Sequence, residues 1–161
     1  MRRRGWYLRD YLIMYNIKQP QNQQEFDAYF NLRWRILRAP WNQPEGSEKD
    51  EIEDQCHHII AYDESNTAVG VGRLQFNSED EAQIRYMAVE PRYASQGVGK
   101  IIIDALEKHA SEKNRTLIIL NARESVVEFY EKSGYEVVEK SYLLFDSIQH
   151  YKMKKYILRP A

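Results

Sequence analysis

Hydrophobic and polar positions along the chain follow two rhythms, one near 3.6 residues and one of two. Residues 11–17, YLIMYNI, are apolar, aromatic and β-prone, and predict a first strand. Over residues 22–37 the apolar side chains Phe26, Tyr29, Phe30, Leu32, Trp34, Ile36 and Leu37 fit a helix better than a strand. Pro40 and Pro44 stop that run. Residues 42–54, NQPEGSEKDEIED, lose all periodicity and read as a solvated acidic loop.

Two strands are then expected, HHIIAYD and AVGVGRLQF, joined by a turn at ESN. The stretch AQIRYMAVEP alternates as a strand and ends at Pro91. Val98, Ile101, Ile102, Ala105, Leu106 and His109 share one face of a helix predicted over residues 98–113. TLIIL is short and wholly apolar, as expected of a strand buried on both faces. Residues 125–132 read as a short helix stopped by Gly134. YEVVEKSYLLF and HYKMKKYIL are the final strands, which either cover the core or pair with a second copy in a homodimer. The order β-α-β-β-β-α-β-α-β-β puts antiparallel strands ahead of one strand–helix–strand unit. That is a mixed α/β (α+β) sheet flanked by helices, not a doubly wound sheet.

Composition narrows the class of protein further. A length of 161 residues is most economically one domain, here residues 1–161 with a basic tail over residues 1–10. A net charge of −1 provides no basic field for nucleic acid. The single cysteine, Cys56, excludes an internal disulfide framework and a cysteine-rich metal site, so no metal is expected. The apolar run after the N-terminal arginines is broken by Arg9 and Asp10, so neither a signal core nor a membrane span is expected. A cytoplasmic protein follows as the expectation.

The stretch QGVGK stands out, because two of only seven glycines sit there at the mouth of a predicted helix. The first N–H groups of a helix have no partner within it and face an anion favourably. Glycines let a phosphate approach them without a Cβ in the way. The same glycines also suit a plain turn, and the pair alone leaves both readings open. Ile102 removes the full dinucleotide fingerprint, and no Walker motif follows.

The segment IRYMAVEPRYASQGVGKIIIDALEKHA resembles the coenzyme A signature of the GNAT superfamily of N-acetyltransferases. LNARESVVEFYEKSGYEVV is similar to its second half, and the resemblance covers residues 56–155 with the same element order. The tail FDSIQHYKMKK further resembles an ElaA-like branch. One departure stands at Ala94, where the superfamily usually has Gln or Arg.

The resemblance implies direct transfer of an acetyl group from acetyl-CoA to a primary amine of a small molecule or peptide. It implies that Met87, Ala88 and Val89 bond the pantetheine arm and thioester carbonyl through their backbone. Gln96, Gly97, Val98, Gly99 and Lys100 would cradle the pyrophosphate, mainly through backbone N–H groups given Ala94. Asn121, at a strand end, matches an amide that bonds pantetheine, or is a simple turn residue. Tyr130 matches the tyrosine that protonates the departing thiolate. His57, His58 and His150 are candidate bases. The carboxylates of residues 45–54 would attract a cationic amine. On the same fold, a non-catalytic acyl-CoA-binding or interaction module is the alternative, motivated by Ala94 and the lack of an obvious base.

Overall fold

The computed structural model describes residues 14–158. The expected basic tail lies outside them, as does the beginning of the first expected strand. Seven strands form one mixed sheet, mostly antiparallel and flanked by helices, in the order β1-β2-β3-β4-β5-β7-β6. They are β1 (Asn16–Lys18), β2 (His57–Tyr62), β3 (Ala68–Phe76), β4 (Glu81–Val89), β5 (Leu117–Arg123), β6 (Glu136–Leu144) and β7 (Ile148–Tyr156). The helices are α1 (Gln23–Leu37), α2 (Val98–Glu112) and α3 (Val127–Lys132). No helix among the described residues is long and apolar enough to cross a membrane. By contact density the chain divides in two compact units. One holds the residues up to Arg73 with Tyr86–Ala105, the other Leu74–Arg85 with the residues from Leu106 onward.

In the first unit, α1 starts where Asn22 accepts the Glu25 N–H through its side chain at 2.9 Å. That bond satisfies one of the open donors of the first turn. The helix ends at a 3-10 turn, Ala39–Trp41, that carries Pro40. The apolar stripe of α1 then does what its spacing predicts. Tyr29, Leu32 and Leu37 pack with Ile60, Tyr62, Val71 and Ala88 in one core cluster. Full burial of each such leucine or isoleucine stabilises the fold by about 1.5–3 kcal/mol.

The neighbouring position in β3 faces the other way and receives α2. A Cβ on Gly70 would lie 2.6 Å from Val98 and 2.7 Å from Ile102. Glycine therefore sets how closely the start of α2 seats on the strand.

In the second unit, β5 pairs antiparallel with β7 along its whole length and parallel with β4 from Glu81 to Gln83. Ile118, Leu120 and Ala122 are buried and their neighbours half-buried, in keeping with an apolar inner strand. Glu107 of α2 holds the Lys155 ammonium at 2.8 and 2.9 Å. Lys155 also donates to the Ser133 carbonyl at 2.9 Å, which ties the end of α3 to β7. Gly134 closes α3 at φ +94°, a conformation that glycine adopts without steric cost. β6 lies at the sheet edge and is exposed along nearly its whole length, so it covers no core.

Candidate active site

The glycine stretch lies where a strand gives way to a helix. After β4 the chain makes a 3-10 turn, Pro91–Tyr93, passes Ala94, and enters α2 through Gly97 at φ +85°. That left-handed conformation is disfavoured for any residue with a Cβ. The first helical bond runs from the Ile101 N–H to the Gly97 carbonyl at 3.1 Å. The N–H groups of Val98, Gly99 and Lys100 precede it and are the open donors of the helix. Lys100 is an exposed side chain 3.3 Å from Asp104, one helical turn on. Gln96 folds back to donate to the Arg92 carbonyl at 3.0 Å.

The loop is tethered on its upstream side. Tyr93 donates to Asp63 at 2.6 Å. Asp63 also accepts the N–H groups of Ser65 and Thr67 in the β2–β3 turn. The Tyr93 hydrogen bond, with those backbone donors, holds the Asp63 carboxyl below its ordinary range.

The strand that feeds this loop carries the least regular backbone of β4. Tyr86 has φ +54°, where a bulky residue costs roughly 1–3 kcal/mol. Two arginines lie against its ring. The Arg33 guanidinium is 4.3 Å and the Arg73 guanidinium 4.7 Å from the ring centroid. Both arginines are fully buried, and charge in such a place needs partners.

Glu53 and Asp50 supply them. Glu53 Oε1 accepts from Arg33 at 2.7 Å and from Arg73 at 2.8 Å. Asp50 takes Arg73 in a two-point fork at 2.8 and 2.9 Å. Burial works against the Arg73 charge, but these carboxylates outweigh it and hold the guanidinium firmly protonated.

Tyr29 and His58 complete the cluster. Arg33 donates to the Tyr29 hydroxyl at 2.7 Å, and that oxygen lies 2.8 Å from His58 Nδ1. His58 Nε2 lies 2.8 Å from the Glu53 carbonyl. A carbonyl only accepts, so Nε2 carries the proton and Nδ1 accepts from Tyr29. Burial is the main cause of a lowered His58 pKa, which leaves the ring neutral at neutral pH. Burial likewise pushes the Tyr29 hydroxyl up.

These carboxylates also line a cavity of about 760 Å³ in the same unit, with Asp27, Glu51, Asp54 and Phe30. The Lys49 ammonium sits 4.4 Å from the Phe30 ring centroid, so this wall already accommodates a primary ammonium. The acidic segment is therefore not the solvated loop its composition suggests. Glu48 is buried, and Asp50 and Glu53 are drawn inward by the two arginines. Burial raises the Cys56 thiol pKa. The thiol donates to the Ile52 carbonyl at 3.2 Å and is a packing group.

Eight of the expected site residues, Met87, Ala88, Val89, Gln96, Gly97, Val98, Gly99 and Lys100, fall in the first unit. Ala88 and Val98 are buried, whereas Met87 and Val89 are half-buried. Asn121 and Tyr130 fall in the second unit. Asn121 lies on β5 opposite Lys152 of β7. Tyr130 is buried on α3, edge-on to Tyr135 at 5.9 Å and to Phe129 at 5.1 Å. Burial raises its pKa, with only partial relief from Arg123, so the phenol keeps its proton throughout the neutral range. His150 is buried, stacked on Tyr142 at 4.4 Å, and its Nδ1 lies 2.9 Å from the Ile148 carbonyl. The arginine pair and Tyr86 escape a sequence reading. The one signal for them is Arg33 falling inside the apolar stripe of α1.

Comparisons with known proteins identify the family of the chain. Residues 41–157 match the family described as acetyltransferase (GNAT) domain, and the chain belongs to that family. It is 33% identical over 135 residues to the Bacillus subtilis (strain 168) protein named uncharacterized N-acetyltransferase YjcF, covering 84% of this chain and 95% of that one. Among solved structures, an aminoglycoside 6'-N-acetyltransferase complexed with coenzyme A superposes with a TM-score of 0.74 at 18% identity, covering 91% of this chain and 99% of that one. Escherichia coli ElaA superposes with a TM-score of 0.69 at 16% identity, covering 88% and 97%. At these identities the structural likeness speaks for the fold.

Proposed function

We propose that this chain transfers an acetyl group directly from acetyl-CoA to a primary amine that carries positive charge. The observation that carries the reading is the loop at residues 96–100. In a chain of an acetyltransferase family, a left-handed Gly97 opens three N–H groups of α2 directly after β4. A pyrophosphate placed there meets backbone donors and the positive end of the helix. Met87, Ala88 and Val89 present backbone to the pantetheine arm and the thioester carbonyl. Asn121 contributes an amide to the pantetheine.

The chemistry balances without a further reagent. The acceptor ammonium first gives a proton to water. The neutral amine then attacks the thioester carbon, forming the C–N bond, and charge develops on the carbonyl oxygen. A preorganised backbone N–H aimed at that oxygen lowers the barrier by a few kcal/mol. The C–S bond then breaks, and the departing sulfur takes a proton from the Tyr130 hydroxyl. The new amide nitrogen releases its extra proton to water, and Tyr130 regains its own from water.

The charge preference rests on the cavity in the first unit. Its carboxylates, which outnumber the single Lys49 ammonium among the described lining residues, favour a cation. Asp50 and Glu53 contact the arginines that touch Tyr86, the residue before Met87. The cavity therefore lies within a short chain of contacts of the strand proposed to hold the thioester.

A second reading keeps the fold and drops the transfer. Both ring nitrogens of His58 are engaged, and Ala94 offers no side chain to the phosphates. On that reading the chain binds acyl-CoA without turning it over.

Release of coenzyme A thiol, followed over a panel of polyamines, amino acids, aminoglycosides and peptide amines, separates the two. Transfer predicts turnover with cationic amines, and binding alone predicts none with any of them. The loop is tested by Gly97→Val. A β-branched residue at φ +85° is strained, and we expect acetyl-CoA affinity to fall by roughly tenfold or more. Unchanged affinity by calorimetry would exclude the loop as the pyrophosphate site.

A further inference from the structure

Tyr86 combines three features that packing alone does not require. It holds a left-handed backbone in the middle of a strand, the fully buried Arg33 and Arg73 lie against its ring, and it immediately precedes Met87. A left-handed residue in a strand acts as a bulge and turns the next peptide out of the regular ladder direction. The peptide turned here is the one that carries the Met87 N–H.

We propose that Tyr86 is a positioning residue for the thioester carbonyl. Its ring, held by the Arg33 and Arg73 guanidiniums, locks the peptide that aims the Met87 N–H at the developing oxyanion. This inference rests on the reading of residues 87–89 as the thioester-holding strand.

The clamp is over-determined, as a lock should be. Neither guanidinium is free to leave the ring. Arg73 is forked on Asp50 and shares Glu53 Oε1 with Arg33. Arg33 is further fixed by the Glu48 carbonyl at 3.0 Å and the Tyr29 hydroxyl at 2.7 Å. Tyr29 in turn donates to His58 Nδ1 at 2.8 Å, so the clamp is pinned to β2 as well. The ring face attracts the cations, and the carboxylates hold the cations in place. The same carboxylates line the cavity proposed for the acceptor. The donor peptide and the acceptor wall are thus held by one set of side chains.

The test is a spectroscopic one that needs no known acceptor. Acetyl-CoA labelled with ¹³C at the carbonyl is bound to the wild-type protein, to Tyr86→Gly and to Tyr86→Phe. Glycine accepts the left-handed backbone, so Tyr86→Gly removes the ring without imposing strain. Phenylalanine keeps the ring and its contacts with both arginines.

The expected result is a downfield carbonyl shift in the wild type that Tyr86→Phe retains. Tyr86→Gly should lose about half of it or more while its acetyl-CoA affinity stays within about threefold, because the pyrophosphate loop is untouched. A wild-type shift in Tyr86→Gly, a lost shift in Tyr86→Phe, or no shift in the wild type overturns the clamp. Should Tyr86→Gly fail to fold, Tyr86→Phe decides alone by keeping or losing the signal. A wild-type protein that binds no acetyl-CoA overturns the transferase reading itself and this inference with it.

Discussion

Tyr130→Phe is expected to lower kcat for acetyl transfer by about 10²-fold, with acetyl-CoA affinity and thermal stability close to wild type. Phenylalanine keeps what packing asks of this position. The ring stays edge-on to Tyr135 and Phe129, and the backbone carbonyl still accepts the N–H groups of Ser133 and Tyr135 at 3.0 Å. Only the hydroxyl is lost. Among the described residues that hydroxyl makes no side-chain hydrogen bond in the free protein, so its removal orphans no partner. Burial holds the phenol protonated, which suits a donor poised for a leaving sulfur and disqualifies it as a base. The same raised pKa makes it a reluctant acid, which is why the expected loss lies at the low end of the usual range for acid catalysis. A variant with wild-type kcat would reduce Tyr130 to a core aromatic.

The largest effect on stability is expected from Glu53→Ala. Its Oε1 is shared by two fully buried guanidiniums. After its removal Arg73 keeps Asp50, but Arg33 keeps only the neutral Glu48 carbonyl and Tyr29 hydroxyl. A buried charge without its counter-charge costs about 3–5 kcal/mol. In a chain of this length that lowers the melting temperature by roughly 10 °C. Glu53→Gln retains an acceptor oxygen and is expected to lose less. Thermal melts of both variants within a degree or two of wild type would contradict the network.

The element order was legible because it rests on local periodicity. The apolar stripe of α1 buries the residues its spacing marks, whereas β5, expected to be buried on both faces, buries Ile118 and Leu120 and leaves Leu117 and Ile119 half-buried. The glycine loop was legible too, since only a sharp turn or a close ligand explains two glycines before an amphipathic helix. Three other features were not legible, each for a non-local reason. Asp50 and Glu53 look solvated in an acidic run, yet their partners Arg33 and Arg73 lie 20 or more positions away in each of these pairings. Arg33 falls inside the apolar stripe of α1, which hints at burial, but nothing in the spacing names the carboxylates that meet it. Tyr86 sits in an alternating strand, and nothing in that alternation marks a left-handed backbone. The final strands were open between covering the core and pairing with a second copy; β7 buries Met153 and His150 in the core, whereas β6 is exposed.

The account stands most directly on binding of acetyl-CoA, and titration calorimetry measures it. The prediction is binding of one acetyl-CoA per chain, displaced by coenzyme A and not by ATP. It should be accompanied by thermal stabilisation of about 2.7 kcal/mol at a hundredfold excess over Kd. Absence of heat and of any thermal shift at millimolar acetyl-CoA, or displacement by ATP in preference to coenzyme A, would contradict it.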